Sequence, residues 1–180
     1  PHISFHRRTS DELVYAVKVG GVWQKTVVDA GVSEELGRFN DIAVTPSGTV
    51  GISYNDEYYG TLKYATRVSG TWSTQVVDGT SGGAWQFTSL AFDSLGHPRI
   101  SYYDYALEDL KYAAWNGSVW QLQTIDADND VGMDSSLVLD SMDRPHIAYV
   151  DYNFGAVMYV HWDGAQWVFR PPAGEPREIS

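Results

Sequence analysis

Three observations predict an all-β repeat architecture for this 180-residue chain. Tryptophans at 23, 72, 120 and 167 recur at intervals of 49, 48 and 47 residues. Two sets of landmarks accompany them in constant order. One is Ile3-Ser4-Phe5, Ile52-Ser53-Tyr54, Ile100-Ser101-Tyr102 and Ile147-Ala148-Tyr149. The other is Leu13-Val14-Tyr15-Ala16, Leu62-Lys63-Tyr64-Ala65, Leu110-Lys111-Tyr112-Ala113 and Val157-Met158-Tyr159-Val160. Finally, no stretch carries helical apolar periodicity, whereas short runs rich in Tyr, Val and Ile are bounded by Gly, Asn, Asp and Ser. A period of about 48 residues with four antiparallel strands in each copy predicts the blades of a β-propeller.

The third copy shows the strands, a to d, most clearly. Strand a is the alternating Ser89-Leu90-Ala91-Phe92, closed by the turn Asp93-Ser94-Leu95-Gly96. Pro98 introduces strand b, Arg99 to Tyr103, at the one strand position where a missing donor costs little. Strand c runs through Leu110 to Ala113. The hairpin Asn116-Gly117-Ser118 then leads into strand d around Trp120, which ends at Asp126. On this pattern one domain holds blades at 1–29 (strands b to d only), 39–78, 87–126 and 134–172. In the last copy Pro171-Pro172-Ala173 stands where the others have Val27-Val28-Asp29, Val76-Val77-Asp78 and Thr124-Ile125-Asp126. Two prolines withdraw two ladder donors, so that strand ends there or lies at an edge. Three closures follow. The favoured one is a four-bladed ring completed by the tail, 173–180, beside blade 1. The others are two chains joined in a larger ring, or a share of a longer propeller. Open strand edges would invite self-association.

The copies Ser89-Leu90-Ala91-Phe92-Asp93-Ser94, Pro98-Arg99-Ile100-Ser101-Tyr102-Tyr103-Asp104 and Leu110-Lys111-Tyr112-Ala113 resemble a bacterial propeller-repeat pattern, S-L-A-x-D-S-x-G-x-P-H-I-S-Y-Y-D…L-K-Y-A…G-x-W…V-D. The resemblance covers nearly the whole chain. It implies a propeller fold and an exported, secreted bacterial protein, and adds little about activity. The sialidase-type Asp box, S-x-D-x-G-x-x-W, is not met, because Asp93-Ser94-Leu95-Gly96 leads to Pro98-Arg99.

Composition removes several function classes. A net charge of −11 repels phosphate backbones, so a nucleic-acid partner is not expected. The absence of cysteine excludes disulfides, thiolate metal sites and cysteine nucleophiles. No apolar run is long enough to span a bilayer as a helix.

What remains points to one face. The b–c and d–a connections emerge together, are longer than the other turns and vary between copies, as binding loops do. By register they carry most of the 23 acidic residues, together with Phe154, Trp85 and several tyrosines. Aromatic rings stack on the C–H faces of sugars while carboxylates accept hydrogen bonds from sugar hydroxyls. The candidate ligand-binding residues are therefore Asp56, Tyr58, Tyr59, Tyr103, Asp104, Tyr105, Asp151 and Tyr152. The plainer alternative is that the aspartates cap turns and the rings pack between blades. Arg7 replaces this aspartate in the first copy, so the site is not expected in every blade.

The run from Asp126 to Asp134 offers a candidate Ca²⁺ loop through Asp126, Asp128, Asp130 and Asp134. It resembles the calcium loops of integrin-type propellers, although those place glycine directly after the third acid, where this chain has Val131. Among enzyme signatures, no G-x-S-x-G, P-loop or His-Glu-x-x-His occurs, and the arginines are scattered rather than grouped for an acidic sugar. The expected function is a non-catalytic binding or scaffold module, lectin-like, meeting a glycan or protein on its acidic loop face. One alternative is a glycosidase-like enzyme using a carboxylate pair that the sequence does not single out. The other is a set of amplified blades with no ligand site of their own.

Overall fold

A computed structural model describes residues 1–31, 35–79 and 85–170. They form fifteen strands and, among the described residues, no helix. Blade 1 is β1 (His2–Arg7), β2 (Glu12–Val19) and β3 (Val22–Ala30). Blade 2 is β4 (Leu36–Val44), β5 (Val50–Asp56), β6 (Thr61–Val68) and β7 (Thr71–Asp78). Blade 3 is β8 (Trp85–Phe92), β9 (Pro98–Asp104), β10 (Asp109–Trp115) and β11 (Trp120–Asp126). Blade 4 is β12 (Val131–Leu139), β13 (Pro145–Asp151), β14 (Ala156–Trp162) and β15 (Trp167–Arg170). Each is a separate antiparallel meander, three-stranded in blade 1 and four-stranded in the others.

The sheets hold together by packing face on face. One apolar core lies between blades 1 and 2 around Leu13, Tyr15, Ile52 and Tyr54, and another between blades 2 and 3 around Leu62, Tyr64, Ile100 and Tyr102. A third lies between blades 3 and 4 around Leu110, Tyr112, Ile147 and Tyr149. The two sequence landmarks are thus the two faces of one blade. The Ile-x-Tyr set meets the preceding blade and the Leu-x-Tyr set meets the following one. Each of Tyr15, Tyr64 and Tyr112 also receives the edge of the next blade's tryptophan, Trp72, Trp120 and Trp167, with ring centroids 5.1, 5.6 and 5.6 Å apart.

A buried polar contact completes each junction. Asp29 accepts from the Tyr54 hydroxyl and the Lys63 ammonium of blade 2. Asp78 accepts from Tyr102 and Lys111 of blade 3, both at 2.9 Å. Asp126 accepts from the Tyr149 hydroxyl of blade 4, where Met158 takes the lysine position. Burial beside these carboxylates pushes the Tyr54 and Tyr102 hydroxyls far above the ordinary phenol range, so both keep the proton they donate.

Strand a is longer than its alternation suggests. The register of β4, β8 and β12 slips at a bulge between Arg38 and Asp41, between Gln86 and Ser89, and between Met133 and Ser136. The bulge hides the first half of the strand from a period-two reading. Gly37 and Gly132 open two of these strands at φ +90° and +110°, where an added Cβ would lie 2.9 and 2.7 Å from Leu13 and Leu110 of the preceding blade. Only glycine supplies both that conformation and that clearance.

Among the described residues no core joins blade 4 to blade 1. Ile3 is 44% exposed where Ile52, Ile100 and Ile147 are fully buried, and Val157 is 65% exposed where Leu13, Leu62 and Leu110 are fully buried. The described residues therefore form an arc whose two outward faces share no core, with Ile3 and Val157 exposed on them. The expected completing tail, 173–180, lies outside the described residues.

Candidate functional site

The three strand-a bulges converge on one cleft. Phe39, Asn40, Phe87, Thr88, Asp134 and Ser135 line a pocket of about 260 Å³, contributed by the innermost strands of blades 2, 3 and 4. Phe39, Phe87 and Asp134 occupy the same bulge position, and all three sit in the left-handed region at φ 46°, 51° and 48°. A bulky residue held there costs about 1 to 3 kcal/mol, which the surrounding structure must sustain. Here the bulges are pinned from the next blade. The Thr88 hydroxyl donates to the Phe39 carbonyl at 2.8 Å, and the Ser135 hydroxyl donates to the Phe87 carbonyl at 3.0 Å.

The cleft walls are aromatic and half-buried. Phe39 and Phe87 lie 5.0 Å apart, Phe87 continues to Tyr103 at 6.4 Å, and Tyr103 to Tyr105 at 6.3 Å. The Arg38 guanidinium covers the outer side of Phe39 at 5.5 Å. The polar part is unequal. Asn40 is engaged, accepting from Ser4 and donating to the Gly37 carbonyl. Asp134 is exposed and makes no hydrogen bond or ion pair among the described residues. Its carboxylate is the group in the cleft best placed to accept from a ligand hydroxyl.

Beside Phe39 lies a paired-carboxyl cluster. Arg38 bonds Glu57 at 3.1 Å and Glu35 at 3.0 Å. Burial and the neighbouring Glu35 push the Glu57 carboxyl up to about 7, while the bond with Glu57 and the arginine hold Glu35 below its usual range.

The eight ligand residues expected from sequence separate into layers. Tyr58, Tyr59, Tyr105 and Tyr152 are exposed on the b–c loops, at 68%, 61%, 58% and 66%. Asp56, Asp104 and Asp151 are buried beneath them at 4%, 0% and 0%. Asp56 accepts from the Tyr59 backbone N–H, Asp104 from those of Ala106 and Leu107, and Asp151 from that of Phe154. Asp104 also lies 3.4 Å from Lys111. These carboxylates fix the turns that display the tyrosines. Tyr103 is buried within the aromatic row, between Phe87 and Tyr105, and donates to Asp130 at 2.7 Å.

The expected calcium loop does not assemble. Among the described residues no three acidic or histidine side chains gather as a metal site. Asp126 and Asp130 are drawn to Tyr149 and Tyr103, and Asp134 turns into the cleft in strand β12, because the run leaves the loop for a bulged strand after Asp130. Glu34 and the side chain of Trp85 lie outside the described residues. Phe39 and Phe87 were not singled out in the sequence, because a phenylalanine in a blade reads as packing. Their shared offset from the repeat landmarks was the available signal.

No protein-family model matches the chain, and no curated protein matches it either. Solved structures do. A six-bladed fucose-recognising lectin of Aleuria aurantia superposes with a TM-score of 0.63 at 13% identity, over 94% of this chain and 60% of that one. The fold is that of a β-propeller. A fucose lectin of Kordia zhangzhouensis, in complex with methyl-fucoside, gives 0.51 at 16% identity, over 73% of this chain and 96% of that one. A polysaccharide lyase, an ulvan lyase bound to a saccharide of GlcA and Rha3S, gives 0.59 at 12% identity, over 89% and 48%. The chain spans about half the length of that lyase and three-fifths of the six-bladed lectin. In the described residues of this propeller no helix is long and apolar enough to cross a membrane.

Proposed function

We propose that this chain is a non-catalytic, lectin-like propeller module that binds a glycan on its b–c and d–a loop face. The observation that carries the reading is the cleft. Three blades each hold one residue in a strained backbone state, and the result is two phenyl planes beside an exposed carboxylate. Strain maintained in three repeats at a ligand-sized concavity is a signature of use. A pyranose ring stacked on Phe87 would direct hydroxyls to Asp134, with Tyr103 and Tyr105 extending the aromatic surface. The exposed Tyr58, Tyr59 and Tyr152 of neighbouring loops would serve longer saccharides. Lectins among the structural neighbours support this reading at the level of fold analogy. A secreted bacterial setting suits it, since polysaccharide lies outside the cell.

A glycan array tests the proposal, run with Ca²⁺ and with chelator. Specific binding lost in Phe87→Ala and Asp134→Asn is expected, unaffected by chelation. A blank array from folded protein removes the glycan and leaves a protein partner on this face.

One observation favours a second reading, a carbohydrate-active enzyme. Glu57, held near neutrality against Glu35, has the protonation behaviour of a general acid. Turnover of a chromogenic glycoside panel that vanishes in Glu57→Gln would favour it. No turnover, with glycan binding intact, favours the first reading.

A further inference from the structure

The two uncovered faces of the arc carry the two halves of the junction already used three times inside it. The outer face of blade 4 repeats the receptor of blade 1. In blade 1, His2 Nδ1 bonds the Tyr15 hydroxyl at 2.6 Å, and the ring of Tyr15 takes the edge of Trp72 and the guanidinium of Arg67 at 5.4 Å. Blade 4 has the same pair, His146 Nδ1 with the Tyr159 hydroxyl, on an aromatic platform extended by His161, stacked 5.5 Å from each ring. Tyr15 is 1% exposed beneath its tryptophan, whereas Tyr159 is only half-buried.

The opposite face of blade 1 carries the matching insert. Arg67 and Trp72 are direct cross-strand partners in blade 2, and Lys18 and Trp23 are direct cross-strand partners at the same register in blade 1. Lys18 is exposed, and Trp23 is 42% exposed. Cation and indole edge are thus presented together, as blade 2 presents them to Tyr15.

Positions where this outer junction departs from the inner ones depart on both sides. The inner junctions set an aspartate against a tyrosine hydroxyl, and two of them add a lysine. Blade 1 has Phe5 and Val14 at the tyrosine and lysine positions, and the fourth repeat has Ala173 at the aspartate position. An aspartate buried against Phe5 and Val14 would be left without a donor, at a cost of about 1 to 3 kcal/mol or more. In the inner junctions, Ser4, Ser53 and Ser101 bond Asn40, Thr88 and Ser135 of the next strand a. Blade 4 has Ala148 there, and blade 1 has no such strand among the described residues.

We infer that blade 4 of one copy docks on blade 1 of a second copy of this chain, head to tail, with Trp23 and Lys18 seated on the Tyr159–His146–His161 platform. The junction is heterologous, so one copy offers each face once, and a ring closes when both faces of every copy are used. The apolar rim, Ile3 on one side and Val157 on the other, becomes buried as its counterparts are within the arc.

Sedimentation velocity across protein concentrations, with tryptophan emission recorded in parallel, tests this. Association that rises with concentration is expected, with a blue shift of Trp23 emission. Trp23→Ala and Val157→Glu should each weaken it at least tenfold, with the melting temperature of the dissociated chain nearly unchanged, because both side chains are exposed in the arc. A monomer at every concentration overturns the inference, including one that buries Trp23 by closing on itself. Association indifferent to both substitutions overturns it too.

Discussion

The junction between blades 2 and 3 and the junction between blades 3 and 4 share one architecture and differ, beside the buried aspartate, in whether a lysine or a methionine stands there. In the first, Asp78 is fully enclosed, accepting from Tyr102 and Lys111, and Lys111 leans also on Asp104. In the second, Asp126 accepts from Tyr149, and Met158 packs in the core where the lysine would stand. The backbone positions coincide, so the difference isolates what a buried lysine does. A carboxylate between blades is held without a lysine where a tyrosine hydroxyl and a turn N–H serve it. The lysine adds a partner and, with it, a dependence. Once buried, an ammonium needs its carboxylate more than the carboxylate needs it.

The largest effect follows from that asymmetry. Asp78→Ala strips Lys111 and Tyr102 of their shared acceptor and should cost about 3 to 5 kcal/mol, read as the change in urea midpoint. Asp126→Ala strips one tyrosine hydroxyl and one turn N–H, and should cost about 1 to 2 kcal/mol. Equal losses would break the comparison. Next in size is Gly132→Ala, where the added methyl meets the Leu110 backbone at 2.7 Å in a left-handed conformation. A loss of about 2 kcal/mol is expected, from overpacking and backbone strain together.

The contrast also shows what the sequence discloses. The strands and the repeated packing positions were legible because packing repeats in step with the chain, so Tyr54, Tyr102 and Tyr149 announce one another, whereas the junction aspartates Asp29, Asp78 and Asp126 read as part of the acidic loop face. The cleft was not legible for the opposite reason. Phe39 and Phe87 do their work through a backbone state, and a bulge breaks the alternation by which a strand is recognised. The aspartates Asp56, Asp104 and Asp151 were visible as a repeated position, but repetition alone does not separate a ligand contact from a buried turn anchor. Only their burial does.

A smaller effect concerns the loop face. Glu57 binds its proton more tightly in the folded chain, near 7, than in the unfolded one, where it has its ordinary value of 4.5. Its contribution to stability is therefore complete below the unfolded value and is lost as pH rises through about 7. Glu57→Gln should flatten that part of the melting-temperature profile between pH 5 and pH 8. An unchanged slope would mean that Glu57 and Glu35 do not share a proton.

The smallest effect is the most direct test of the opening contrast. Met158→Lys rebuilds at Asp126 the arrangement seen at Asp78. Two terms oppose each other. Desolvating an ammonium is costly, and the thioether contacts in the core are lost. Against this, the region is crowded with carboxylates. Burial and the charges of Asp104 and Asp126 push the Asp109 carboxyl up, with Lys111 the cation that offsets them. A second ammonium would relieve this crowding and give Asp126 a further donor. The terms should nearly cancel, leaving the variant within about 1 kcal/mol of the parent. Once the lysine is present, however, Asp126→Ala should cost as much as Asp78→Ala does. A double-mutant cycle reads that coupling directly. If the cost of Asp126→Ala stays small in the lysine background, the dependence at Asp78 belongs to the tyrosine and not to the lysine.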